Sequence, residues 1–143
     1  MTHWTPRLVE AQLAEAAEIL KRLPADNMQG LLGRLPDPSG DFRKHLARDT
    51  IPRHVTSPTS IDRMKEALGW TRDLSQQDYV IVWWRAFGLP WKAICRTVGL
   101  QRTAAFTNWN VALSRITLRL NDSSIPRDAS QRDIIERARA AKR

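Results

Sequence analysis

Apolar side chains return every three or four positions at Val9, Leu13, Ala16, Ala17, Leu20 and Leu23, and Glu10, Glu15 and Glu18 fall off that line. This spacing places one apolar stripe on a helix. Thr5-Pro6 supplies a start, with the threonine as N-cap and the proline in the first turn, and Pro24 supplies a stop. A helix over 6–23 is predicted, its stripe turned to the domain or to a second copy. The rhythm then breaks. Residues 24–57 carry Pro24, Pro36, Pro38 and Pro52 with Gly30, Gly33 and Gly40, which is the chemistry of an irregular segment. Within it, Phe42 and Leu46 are four apart and predict a short helix over 41–48. The segment reads equally as an arm, a wrapped stretch or a partner-binding region.

Ser57-Pro58 repeats the start signal, and Ile61, Met64 and Leu68 carry a helix to about residue 72. Ser75 with Asp78 resembles a capping box. From there Tyr79, Val82, Trp83, Ala86 and Phe87 form one apolar face, and Val80, Ile81 and Trp84 make the rest apolar too. A helix apolar all round is a buried one, so 76–87 is predicted to be the central helix, ending at Gly88. Pro90 restarts the chain for a short helix over 91–97, which Gly99 ends. A longer helix over 102–120 has Ala105, Trp109, Ala112, Leu113, Ile116 and Leu120 as its stripe, and Asn121 to Ser124 stop it. Ser130 and Asp133 open a last stretch in which Ile134, Ile135 and Ala138 give a weak stripe, predicting a short or frayed helix on a flexible hinge. The fold class is therefore all-α. It divides into an N-terminal amphipathic helix (1–23), the irregular segment (24–57), a three-helix-centred domain (58–120) and a basic tail (121–143).

Composition sharpens this. Four of the six tryptophans, Trp70, Trp83, Trp84 and Trp91, fall within one short stretch and mark the centre of the fold. The net charge is +8 and is uneven. Residues 1–74 are nearly balanced, whereas 75–120 hold Arg85, Lys92, Arg96, Arg102, Arg115 and Arg119 against Asp78 alone. A local basic excess points to a polyanionic partner. Cys95 is the single cysteine, so no intramolecular disulfide forms. No apolar run reaches membrane-spanning length and the start has no signal-peptide core, so a cytoplasmic protein without membrane contact is expected.

The stretch "KAICRTVGLQRTAAFTNW", Lys92 to Trp109, has the requirements of a helix-turn-helix. Ile94 is the anchor of a short first helix. Cys95 fills a small-residue slot four before Gly99 and is expected to be buried. The glycine takes the positive φ of the turn, and Leu100 plugs the core. On the second helix Ala105 and Trp109 would face inward, while Gln101, Arg102, Thr103, Phe106, Thr107 and Asn110 would face outward as the base-reading candidates. Arginine forks onto guanine, asparagine or glutamine onto adenine, and an apolar ring meets a thymine methyl or a sugar edge. Lys92, Arg96 and Arg115 are the candidates for phosphates. Gln101 stands where serine or threonine commonly caps such a helix.

These residues carry two resemblances. "LSQQDYVIVWWRAFGLPWKAICRTVGLQRTAAFTNWNVALSRI" is similar, over about 75–120, to the helix-turn-helix of sigma-factor region 4. "TPRLVEAQLAEAAEILKRLP", "SPTSIDRMKEALGW" and "PWKAICRTVGLQRTAAF" together resemble an uncharacterised family of alphaproteobacteria and their phages. The second resemblance implies a regulator of phage or prophage genes or a DNA-packaging component.

His3, His45 and His54 are scattered, no metal-ligand spacing appears, and "GLLG" at 30–33 reads as a turn. No catalytic residue, metal or cofactor is expected, and the chain is not expected to be an enzyme. The leading expectation is a transcription regulator that binds double-stranded DNA, with a homodimer or higher homo-oligomer as its assembly. The alternatives are a small terminase-like packaging protein, which would touch another packaging subunit, and a module that contacts RNA polymerase.

Overall fold

The computed structural model of the chain describes residues 3–22, 34–35, 37, 40–48 and 57–140. The predicted irregular segment 24–57 therefore lies outside the described residues except at 34–35, 37, 40–48 and 57, and the expected turn at 30–33 lies outside them altogether. Seven helices make up the described residues, and none of the described residues is in a strand. They are α1 (Pro6–Arg22), α2 (Asp41–Arg48), α3 (Pro58–Trp70), α4 (Gln76–Ala86), α5 (Trp91–Val98), α6 (Arg102–Leu120) and α7 (Gln131–Ala140). The all-α class is thus observed.

Side-chain caps set several of these starts. Leu8 N donates to Thr5 Oγ1 at 3.2 Å, Ser60 N to Ser57 Oγ at 3.2 Å, and Asp78 N to Ser75 Oγ at 3.2 Å. Each satisfies one of the amides a helix leaves unpaired and is worth about 1 kcal/mol. For α2 the cap is Asp37, whose two carboxylate oxygens accept from Phe42 N at 3.0 Å and Arg43 N at 3.1 Å.

α4 sits at the centre, with Tyr79 through Trp84 all buried. α1 packs Val9, Leu13, Ala16, Ala17 and Leu20 mainly onto α3, and also onto α6 and α4. α2 adds Phe42, which stacks on Trp84 at 5.8 Å and meets Phe87 edge-on at 4.9 Å. Trp83 is fully buried, and its indole N–H donates to Thr71 Oγ1 at 3.0 Å. The threonine hydroxyl in turn donates to Leu68 O at 3.1 Å, taking up a carbonyl at the end of α3. One tryptophan thus ties the middle helix to the close of the one before it.

The predicted short last helix is present, and it is docked on its neighbour. α7 is seated on α6, where Ile134 and Ala138 join Val111 and Leu118 in a second apolar cluster, separate from the main one. A reciprocal capping box starts it, with Asp133 N donating to Ser130 Oγ at 3.1 Å and Ser130 N to Asp133 Oδ2 at 3.4 Å. The weak stripe suffices because α6 offers a second apolar side to receive it. At the far end of α6, the Asn121 side-chain amide donates to Trp4 O at 2.8 Å and accepts from Trp4 N at 2.9 Å, so the residue before α1 is held beside the end of α6.

Candidate functional site

α4, α5 and α6 form a three-helix unit whose two connections are short. Gly88 takes φ +88° after α4, and the fully buried Leu89 then turns the chain into α5. Gly99 takes φ +73° between α5 and α6, the left-handed conformation the turn was expected to need. Gly99 N and Leu100 N both donate to Cys95 O, at 2.9 and 3.3 Å, closing α5 as a left-handed cap. Open space surrounds the Gly99 α-carbon, so no neighbour blocks a methyl group there. Gly99→Ala is therefore expected to cost about 1–2 kcal/mol through backbone strain alone. A denaturant titration checks this, and an unchanged midpoint would show that the turn does not constrain the domain.

Cys95 is half-buried rather than buried. It packs against the main core from a partly open position, while the neighbouring Ile94 is wholly buried.

α6 begins without a side-chain cap. Gln101 is extended and makes no capping hydrogen bond, so the first amides of α6 keep their positive partial charge toward solvent. Gln101, Arg102, Thr103 and Phe106 are all exposed around this start. Thr107 and Asn110 are half-buried, against the expectation that they face outward. Asn110 lines a groove of about 320 Å³ with Thr5, Pro6 and Arg7 on one side and Ile135 and Arg139 of α7 on the other. Of the six base-reading candidates, Gln101, Arg102, Thr103 and Phe106 are thus exposed at the tip of α6, Asn110 lies in the seam where α1 and α7 close in, and Thr107 is half-buried.

An aromatic triad stands behind the tip. Phe106 is 47% exposed, and its ring lies 5.7 Å from the buried Trp91 and 5.5 Å from the half-buried Trp109. The two tryptophans meet edge-on at 5.8 Å, and the Arg85 guanidinium sits 5.1 Å over Trp91. Ala105, small and fully buried, lies one turn before the half-buried Trp109 on the same helix.

The phosphate candidates do not share one surface. Arg96 is 3.7 Å from Asp41 of α2, and Arg115 lies beside Asp78 of α4. Burial raises the Asp78 carboxyl above its usual range, and the Ser75 hydrogen bond and Arg115 pull it back. Arg119 is 3.6 Å from Asp73. The three arginines are themselves exposed, and the open Arg119–Asp73 pair is worth about 0–1 kcal/mol, so Arg119 can exchange its carboxylate for a phosphate at small cost. Lys92 is exposed near the start of α5 and lines a cavity of about 160 Å³ with Lys44, His45 and Arg96. Among the described residues no cluster of three or more His, Cys, Asp or Glu is placed to hold a metal. No described helix is long and apolar enough to cross a membrane.

Two basic contributors escape a linear reading. Lys44 comes from α2, and Arg132 of α7 is 87% exposed with Gln131 beside it reaching Asn108 Oδ1 at 3.5 Å. The signal for α7 was present in Val111 and Leu118, seven apart and off the main stripe of α6.

These features define a small all-helical domain with a glycine-turned three-helix unit at its centre and a basic, aromatic tip. The chain belongs to the family described as Domain of unknown function (DUF6362), whose model matches residues 21–116. That span runs from the end of α1 through most of α6. No curated protein and no solved structure is significantly similar to the chain.

Proposed function

We propose that this protein binds double-stranded DNA as a helix-turn-helix, laying the start of α6 in the major groove, and that it regulates transcription of phage or prophage genes. The observation that carries the reading is the tip of α6. Gln101, Arg102, Thr103 and Phe106 are exposed together on a helix that starts uncapped, directly after a left-handed glycine turn. Guanidinium, amide and hydroxyl groups are the groups that read base edges, and an uncapped helix start favours a phosphate. Lys92 and Arg96 on α5, with Arg132 on α7, are exposed and are the candidates for the two backbones. The phage setting rests on the sequence resemblance.

The reading is tested by the anisotropy of a labelled duplex across a salt series. For about three phosphate contacts, raising monovalent salt from about 50 to about 200 mM should weaken binding roughly 40-fold. An Arg102→Ala, Thr103→Ala double variant should keep the salt dependence and lose preference among sequences. No binding at low salt would overturn the reading.

A second reading has its own observation. Phe106, Trp109 and Trp91 put an apolar island on the same tip, and this suits a protein surface such as that of RNA polymerase. It predicts little salt-sensitive affinity for DNA. A packaging role of the small-terminase kind predicts instead a ring-sized oligomer, which a mass measurement in solution distinguishes from the dimer expected of a regulator.

A further inference from the structure

Phe106 is out of place for a group meant only to pack. It is 47% exposed, and Leu8 is the only other large apolar side chain of comparable exposure among the described residues. Its ring is nevertheless fixed, because Trp91 and Trp109 lie at 5.7 and 5.5 Å and close on each other at 5.8 Å behind it. Arg102 precedes it by one helical turn and Thr103 by three residues, and both are exposed. The result is a braced apolar edge set beside an exposed arginine and an exposed threonine. An apolar edge with no mobility suits a partner whose matching surface is mostly polar and holds small apolar bumps at fixed places. The major groove of DNA has that character: its edges offer donors and acceptors, and its only apolar group is the C5 methyl of a pyrimidine.

We infer that Phe106, braced by Trp91 and Trp109, is a specificity-determining residue for a 5-methylpyrimidine in duplex DNA, meaning thymine or 5-methylcytosine. The inference rests on the DNA-binding reading above and adds to it the base chemistry that the tip selects. Arg102 and Thr103 supply polar contacts on either side of the methyl group. Phe106 supplies a surface that removes the methyl from water, and the tryptophans spare it the cost of being ordered on binding.

The test starts from the parent chain and ends on one variant. Bound sequences are selected from a randomised duplex library, and the preferred duplex is remade with uracil in place of each thymine in turn. Uracil keeps the pairing edge and the O4 acceptor and lacks only the methyl. At one position the affinity should fall about fourfold, the value of one buried methyl-sized group. Cytosine with a C5 methyl at that position should recover part of the loss relative to plain cytosine. Phe106→Leu should bind more weakly and show a smaller ratio between the thymine and uracil duplexes, with its melting curve confirming the fold. Equal affinity for thymine and uracil at every position overturns the inference and leaves the DNA reading standing. A Phe106→Leu loss that is the same on both duplexes assigns the ring to shape or to a protein contact, and also overturns it. Failure to select any duplex at low salt overturns the DNA reading itself, and the inference with it.

Discussion

Replacing Trp83 by alanine should remove a large share of the stability of this domain. The ring is wholly buried in α4, and α4 is enclosed by α1, α5 and α6, with Phe42 of α2 against the neighbouring Trp84. Truncating a buried tryptophan costs about 3–5 kcal/mol, from lost transfer energy and from the cavity left behind. Domains of this kind hold only about 5–15 kcal/mol in all. Two further groups lose their arrangement. Thr71 Oγ1 no longer receives the indole N–H, and the link from Leu68 O through Thr71 to α4 is cut. A denaturant titration followed by helical circular dichroism should show a large drop in midpoint or no cooperative transition. Trp83→Phe separates the two causes, because it keeps most of the volume and removes only the indole donor to Thr71 Oγ1, whose hydroxyl still donates to Leu68 O, at a cost of about 1 kcal/mol. If the alanine variant melts within about 1 kcal/mol of the parent chain, Trp83 is not the centre of the core.

The second large effect should be confined to one end. Ile134 is 1% exposed and anchors α7 on Val111 and Leu118, in a cluster separate from the main core. Ile134→Asp removes about 2 kcal/mol of apolar burial and places a carboxylate where water is excluded. α7 has no other large apolar anchor than this cluster, so it should leave α6 while α1, α3 and α4 stay packed. Hydrogen exchange read by mass spectrometry is the measurement. Amides of 131–140 should lose protection, and those of 79–84 should keep it. Loss of protection in both regions together would show that α7 belongs to the same cooperative unit as the core.

These two sites also show how far the sequence reaches. The helix starts were legible because threonine or serine before proline, and serine three before aspartate, are local signals that local hydrogen bonds realise. The central helix was legible because six successive residues, Tyr79 to Trp84, leave no polar side. α2 was legible from two residues, Phe42 and Leu46, although its partner Trp84 is far away in sequence. What could not be read were pairings between distant segments. Charge counted along the chain gives 75–120 a bare excess, whereas Asp41 and Asp73 arrive from outside to meet Arg96 and Arg119. Thr107 and Asn110 read as outward from helical phase alone. Both are half-buried, and Asn110 is so because the start of α1 and α7 flank its side of α6; neither helix announces its docking site in its own sequence. The tip was legible at Gln101, Arg102, Thr103 and Phe106, which are exposed among the described residues.

The tryptophans are distributed so that the molecule has its own optical sensor. Trp83 and Trp84 are sealed in the core, and their emission should stay constant while the fold is intact. Trp91 and Trp109 are one ring away from Phe106, and Trp109 still touches solvent. Anything that settles on the tip of α6 changes the polarity around that second pair alone. Occupancy of the tip should therefore be readable in unlabelled protein, as a shift in the red part of the spectrum over an unmoving blue background.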